Sequence, residues 1–246
     1  MIWNLNFDTL LALFNDGPVE AKGFADDLSL TVCGPDPGTL VQIMQHAMNR
    51  AVEWGHEHGL SFSQVKTEAV VFNRKRNPPP FRPLMLHGIP IRYVTSARYL
   101  GVILDSRLTF AEHVRIQCRK GIRFFMALKG AIGQLWGPSP CAMKWACDMI
   151  IKPMVLFGSI VWAHRTRHTN RHLSRLQRLA LLSLGHFPRS APTKGLEVIL
   201  GFTLLDLLAK ERAHRTYVWI RNRNPHRWDV HGLSNARGHL LSLIHI

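Results

Sequence analysis

The stretch VEAKGFADDLSLTVC, residues 19–33, carries two adjacent carboxylates, Asp26 and Asp27, inside an otherwise apolar, strand-like run. Successive side chains of a strand point to opposite faces, so neighbouring acids converge on one spot only where the chain turns beside them. Gly23 and Phe24 lead into the pair, and Leu28, Leu30 and Val32 follow at a spacing of two. That is the pattern of a strand with one buried face. The stretch is therefore predicted to form a β-hairpin with the acids at its tip. Asp is also a common, merely solvated turn residue, so the surrounding sequence has to decide between a plain turn and a chemical site.

On the N-terminal side, MIWNLNFDTLLALFNDGP (1–18) places Ile2, Leu5, Leu10, Leu13 and Phe14 at helical spacing and stops at Asn15-Asp16-Gly17-Pro18. On the other side, GPDPGTLVQIMQHAMNRAVEWGHEHGL (34–60) sets Leu40, Ile43, Met44, Ala47, Ala51 and Trp54 on one stripe, with Gly59 past the end. A helix over about 36–58 follows. KTEAVVF (66–72) reads as a short strand running into the basic, proline-rich NRKRNPPP (73–80). PLMLHGIPIRYV (83–94), with a Gly-Ile-Pro turn, and ARYLGVILD (97–105) read as further strands. From Thr109 onward only helices are expected. The clearest is NRHLSRLQRLALLSLGHF (170–187), where Arg171, Arg175 and Arg178 fall opposite Leu173, Leu176, Leu179 and Ala180. This order predicts an α+β unit over 1–108, an all-helical unit over 109–230 and a tail over 231–246. The last six residues, LSLIHI (241–246), fit no element pattern and resemble the translation of a transposase adapter used in sequencing libraries. They are set aside from the expected fold.

Composition narrows the chemistry. The chain has 246 residues, 46% of them hydrophobic and 19% charged, enough for a sizeable core. Its four cysteines, Cys33, Cys118, Cys141 and Cys147, form no CxxC pair, which favours a reduced, intracellular setting without structural zinc. HEHG (56–59) is not HExxH, and histidines at i and i+2 do not share a helix face. The most apolar run, MVLFGSIVWA (154–163), is about half of what a bilayer requires and reads as a core element. No signal peptide or membrane anchor is expected. Net charge is +15. Residues 1–108 hold 10 Lys and Arg against 10 Asp and Glu, whereas residues 109–246 hold 21 against 6. A neutral half bearing the acid pair beside a strongly basic half points to chemistry in one place and a polyanion, foremost nucleic acid, held by the other.

Five segments in order, GFADDLSLTV, NRAVEWGHEHGLSFSQVKTEAVVFNRKR, ARYLGVILDSRLTFAEHV, KPMVLFGSIVWA and LSRLQRLALLSLGHF, resemble the reverse transcriptases of non-LTR retrotransposons of the jockey and R1 kind. The resemblance runs to about Asp229. It implies a partial polymerase palm followed by a helical thumb, and RNA-directed DNA polymerisation by two-metal phosphoryl transfer. FADD would be the family's tyrosine-x-Asp-Asp turn, with Asp26 and Asp27 as Mg²⁺ ligands and Phe24 beside the primer end or incoming nucleotide. KTE would supply Lys66 to assist the leaving pyrophosphate, and Tyr99, Leu100 and Gly101 of YLGV would steady the primer terminus. Arg171, Arg175 and Arg178 would hold the phosphates of an RNA template and DNA primer duplex without reading bases. The other partners implied are deoxynucleoside triphosphates, and the implied location is the nucleus or a cytoplasmic ribonucleoprotein. The family's palm takes a further aspartate and its fingers from sequence preceding this stretch, so the two-ion site is expected to be incomplete in this chain. Two rival readings follow from the same residues: a non-catalytic, basic nucleic-acid-binding remnant, and a basic scaffold lying on anionic membrane.

Overall fold

The computed structural model describes residues 2–73, 81–130, 139–184, 187–223 and 239–245. The chain divides into two units, residues 1–108 with 229–246, and residues 109–228. The first mixes helix and strand, and the described part of the second is helical, an α+β protein as expected.

The first unit opens with helix α1 (Ile2–Ala12) and the predicted hairpin, β1 (Val19–Phe24) against β2 (Asp27–Gly34). Helix α2 (Pro37–Glu57) follows. Asp36 caps its start by accepting from the Thr39 amide at 2.7 Å, with Pro37 in the first turn, where a missing N–H costs nothing. Gly59, at φ 67, ends it: the Leu60 amide reaches back to the Gly55 carbonyl at 2.7 Å and the Gly59 amide to that of His56 at 3.3 Å. This Schellman closure needs a residue without a Cβ at the left-handed position. The α2 stripe buries Leu40, Met44, Ala47, Ala51 and Trp54 on Leu28, Leu30 and Val32 of β2. In α1 the inward residue is Leu10, with Phe14 buried in the turn after it, whereas Leu5, expected on the same stripe, is 67% exposed.

The sheet contains a correction. Strand β3 (Glu68–Phe72) lies parallel to β2 but one place away, and between them runs β9 (His239–His245), antiparallel to both. Leu243 stands across from Leu30 on one side and Ala69 on the other. Residues 241–245, set aside as belonging to no element, are thus part of the central strand. Strand–helix–strand connection through α2 leaves a slot one strand wide, and an extended apolar segment satisfies the backbone groups lining both sides. Ala69 packs toward α2, while Val70 and Phe72 face a second cluster with Ala97.

Smaller strands differ from expectation in their turns. Residues 85–90 form β4 (Met85–Leu86) and β5 (Ile89–Pro90) around His87-Gly88, at φ 49 and 78, and not around Gly-Ile-Pro. β6 (Arg92–Val94) pairs parallel with β3, where Arg92 meets the Glu68 carboxylate. ARYLGVILD is a hairpin and not one strand: β7 (Ser96–Tyr99) and β8 (Val102–Asp105) turn at Leu100-Gly101, at φ 45 and 82. Two consecutive positive-φ residues match the right-handed twist of the flanking strands. Residues 74–80, most of the basic proline-rich loop, lie outside the described residues.

The second unit comprises α3 (Ala111–Gly130), α4 (Pro140–Ala146), a π turn (Cys147–Ile151), α5 (Lys152–Val155), α6 (Ser159–Trp162), a 3₁₀ turn (Ala163–Arg165), α7 (Thr166–Leu184), α8 (Thr193–Ile199) and α9 (Leu205–Arg223). MVLFGSIVWA is interrupted at Gly158, at φ 66. It buries Val155, Leu156, Trp162 and Ala163 but exposes Phe157 and Val161. Among the described residues no helix is long and apolar enough to cross a membrane.

If β9 holds the sheet together, Leu243→Pro, which removes a ladder donor in mid-strand, should destabilise the first unit by about 2 kcal/mol or more. Urea unfolding followed by circular dichroism should show the first unit, strands together with α1 and α2, unfolding at lower urea while the transition of the helical second unit stays where it was. Coincident curves for the two proteins would show that the strand contributes nothing.

Candidate active site

The acid pair sits on a two-residue turn. Phe24 pairs with Asp27, leaving Ala25 and Asp26 as the link, with Ala25 at φ 55. A positive φ on alanine is unfavourable, and a contact from α1 helps to hold it: the Trp3 indole donates to the Ala25 carbonyl at 2.7 Å. Trp3 stacks on Phe7, ring centroids 5.9 Å apart. Phe7 itself lies on β1 where Gly23 leaves room, because a Cβ there would fall 1.9 Å from the Phe7 ring. So Gly23 admits α1, and α1 braces the turn. Asp26 is exposed, Asp27 half-buried, and Phe24, across from Asp27, is 62% exposed. In the sequence α1 shows only an apolar stripe. No local pattern marks Trp3 as a partner of residue 25.

One other predicted residue comes to the same end of the sheet, and a second, on the separate β7–β8 sheet, lies within electrostatic reach of Asp27. Because β3 runs parallel to β2, both begin at the hairpin-tip end, and Ser29 and Glu68 lie level across Ile244. Lys66, expected at the strand start, stands two residues before it on an exposed turn, behind Thr67, whose hydroxyl donates to the Ser63 carbonyl at 2.6 Å. Tyr99 closes the arrangement. Its phenol is held above the ordinary value of 10.0, first by burial and then by the Asp27 carboxylate. The β7–β8 hairpin thus brings a neutral hydroxyl within electrostatic reach of the acids, with Leu100 and Gly101 on the turn beside it. His56 and His58 end α2, and the His58 ring stacks on Trp54 with centroids 4.3 Å apart. Among the described residues no three His, Cys, Asp or Glu gather as metal ligands.

In the second unit the three arginines of α7 divide. Arg171 and Arg175 are exposed and line a cleft of about 620 Å³ together with Lys194 and Asp206. Arg178 is half-buried and directed into the 189–193 loop. It donates to the carbonyls of Arg189 at 2.6 Å and Ala191 at 3.1 Å, and to the Thr193 hydroxyl. The nearly buried Gln177 joins the helices around the cleft, donating to Glu197 at 2.7 Å and accepting from the Leu205 amide at 2.8 Å.

Similar proteins supply a family context. The chain is 28% identical over 229 residues to the "Retrovirus-related Pol polyprotein from type-1 retrotransposable element R1" of Nasonia vitripennis, covering 90% of this chain and 68% of that protein. It is 31% identical over 212 residues to the "Putative 115 kDa protein in type-1 retrotransposable element R1DM" of Drosophila melanogaster, covering 85% of this chain and 20% of that protein. A 94-residue stretch, 37% of this chain and 10% of the relative, is 35% identical to the Drosophila "Probable RNA-directed DNA polymerase from transposon X-element". No protein-family model and no solved structure matches the chain.

The Tyr99 environment yields a pH signature. A phenol whose folded pKa is raised stabilises the fold below its ordinary pKa, and that contribution is lost as pH rises through the folded value. Asp27→Asn removes the second cause and leaves the larger one, burial. Alkaline titration of phenolate absorbance, with Tyr99→Phe identifying the step, should show Tyr99 ionising at lower pH in Asp27→Asn yet still above 10.0. Superimposable titrations would separate Tyr99 from the acid turn.

Proposed function

We propose that this chain, a homologue of the Pol proteins of R1 and X-element non-LTR retrotransposons, carries the catalytic turn and a nucleic-acid grip of an RNA-directed DNA polymerase. The observation that carries the reading is the braced Ala25-Asp26 turn, which sets Asp26 and Asp27 at the end of the sheet where β3 also begins, just after Lys66. In this reading the first unit is part of the palm, and the basic second unit is the thumb.

Phosphoryl transfer asks for hard oxygen ligands beside the reacting phosphate. Asp26 and Asp27 are two such ligands on adjacent residues, enough to share one hydrated Mg²⁺. A two-ion centre takes more carboxylates than the described residues bring together. Mg²⁺, when bound there, supplies the charge that activates a primer hydroxyl and steadies a leaving pyrophosphate. Each of the chain's own side chains then has a distinct part. Phe24 offers an exposed ring beside the acids as a platform for the primer end or the incoming deoxynucleoside triphosphate. Lys66 brings a mobile cation to the pyrophosphate side, and Tyr99 with Leu100 and Gly101 backs the primer terminus. Arg171 and Arg175 present guanidinium groups to the phosphates of a template–primer duplex, whereas Arg178 shapes the loop beside them. Such contacts hold any sequence, as a copying enzyme requires.

The reading is tested by primer extension on an RNA template, with the chain substituted for the matching segment of the Nasonia vitripennis R1 relative. Mg²⁺-dependent extension is expected. Asp26→Ala should abolish it while duplex affinity stays within about twofold, since the phosphate grip resides in the other unit. Equal extension by both proteins would remove the acid turn from the chemistry.

A further inference from the structure

The far half of α9 does no packing work in its own unit. Its buried residues are Leu205, Ala209 and Ala213, at successive i+4 positions. Beyond Ala213 every residue through Arg223 except Ile220 is exposed. Arg212, Arg215, Trp219 and Arg223 fall at i, i+3, i+7 and i+11, a single stripe on a helix. Between Lys210 and Arg223 five basic residues face one acid, Glu211, which pairs with Arg215 at 2.7 Å. In the middle of the stripe Trp219 is 56% exposed, with the Arg223 guanidinium 4.3 Å from its ring centroid.

An indole left in water, flanked along the helix by arginines, matches one ligand chemistry well. Nucleic-acid single strands present anionic phosphates at short intervals and bases whose faces are free to stack. The Arg223 guanidinium spans one part of the ring, and the remaining exposed indole can take a base. A duplex hides its base faces, so it engages only the arginines. The helix is a poor fit to a lipid surface: Tyr217, Val218 and Trp219 are consecutive, so they point to different sides and build no common apolar face.

We infer that the Arg212–Arg223 stripe of α9 is a docking surface for single-stranded nucleic acid, with Trp219 stacking one base and Arg212, Arg215 and Arg223 contacting flanking phosphates. The inference rests on the nucleic-acid-handling reading above and adds to it a strand class and named residues.

Fluorescence anisotropy with the full chain, a labelled oligo-U RNA and a blunt duplex of equal length tests it. Trp219→Ala should weaken oligo-U binding roughly tenfold, and Trp219→Phe, which keeps a stacking ring, by less than about threefold. Duplex affinity should move less than about twofold in both, and circular dichroism should be unchanged because the residue is exposed. Equal oligo-U affinity of Trp219→Ala and the unaltered chain overturns the inference. So does an equal loss for oligo-U and duplex, which would mean general charge and not stacking. Phosphatidylserine vesicles form the remaining arm, and vesicle flotation lost in Trp219→Ala with oligo-U binding intact would reassign the stripe to lipid. None of these readouts depends on primer extension, so failure here and failure of the polymerase reading are distinguishable.

Discussion

Backbone pairing across a gap one strand wide is the constraint on which the first unit depends. The connection through α2 returns β3 parallel to β2 but displaced by one place, so both strands turn unpaired N–H and C=O groups toward the same slot. Open inner edges in the middle of a sheet are costly. Residues 239–245 pair with both at once, and α2 covers Leu28, Leu30, Val32 and Ala69 of the flanking strands. The level of Ser29 with Glu68, and with it the placing of Lys66 at the acid end, follows from that shared register.

Residues whose partners are close in sequence were legible. The hairpin followed from Leu28, Leu30 and Val32 alternating beyond two turn-forming acids, and α2 from Asp36, Pro37 and Gly59 marking its ends. Misreadings arose where distant partners override local chemistry. Leu100 lacks the Asn, Asp or Gly signature of a tight hairpin, yet it adopts φ 45 because β7 and β8 pair on both sides of it. LSLIHI has too short a pattern to declare a strand, and only the slot gives it one. The electrostatic influence of Asp27 on Tyr99 links residues far apart in the chain, and no spacing rule announces it. Arg178 looked equivalent to Arg171 and Arg175 on a helical projection, but its acceptors are carbonyls of a loop that a projection omits.

Charge is divided in the same spirit as structure. The neutral unit holds two carboxylates close together, an arrangement that gains from a cation, while the basic unit keeps Arg171, Arg175 and the α9 stripe exposed to solvent. Uncompensated arginine on a surface costs little in high dielectric and attracts polyanions over about a Debye length. The acids of the turn and the exposed arginines thus lie in different units, each with its own charge balance.

The Trp3 to Ala25 hydrogen bond ties the acid turn to the first helix of the unit. Helix α1 buries Leu10, packs Phe7 and Leu11 against the core, and is anchored to α2 by the Trp54 indole donating to Thr9 at 2.9 Å. A terminal helix held by few contacts is the kind of element whose local opening can precede that of a sheet. When it opens, the turn loses the acceptor contact that helps hold Ala25 at positive φ, and the geometry of Asp26 and Asp27 relaxes with it. Through that bond and the Phe7–Gly23 contact, the conformation of the acid turn and the docking of α1 are linked.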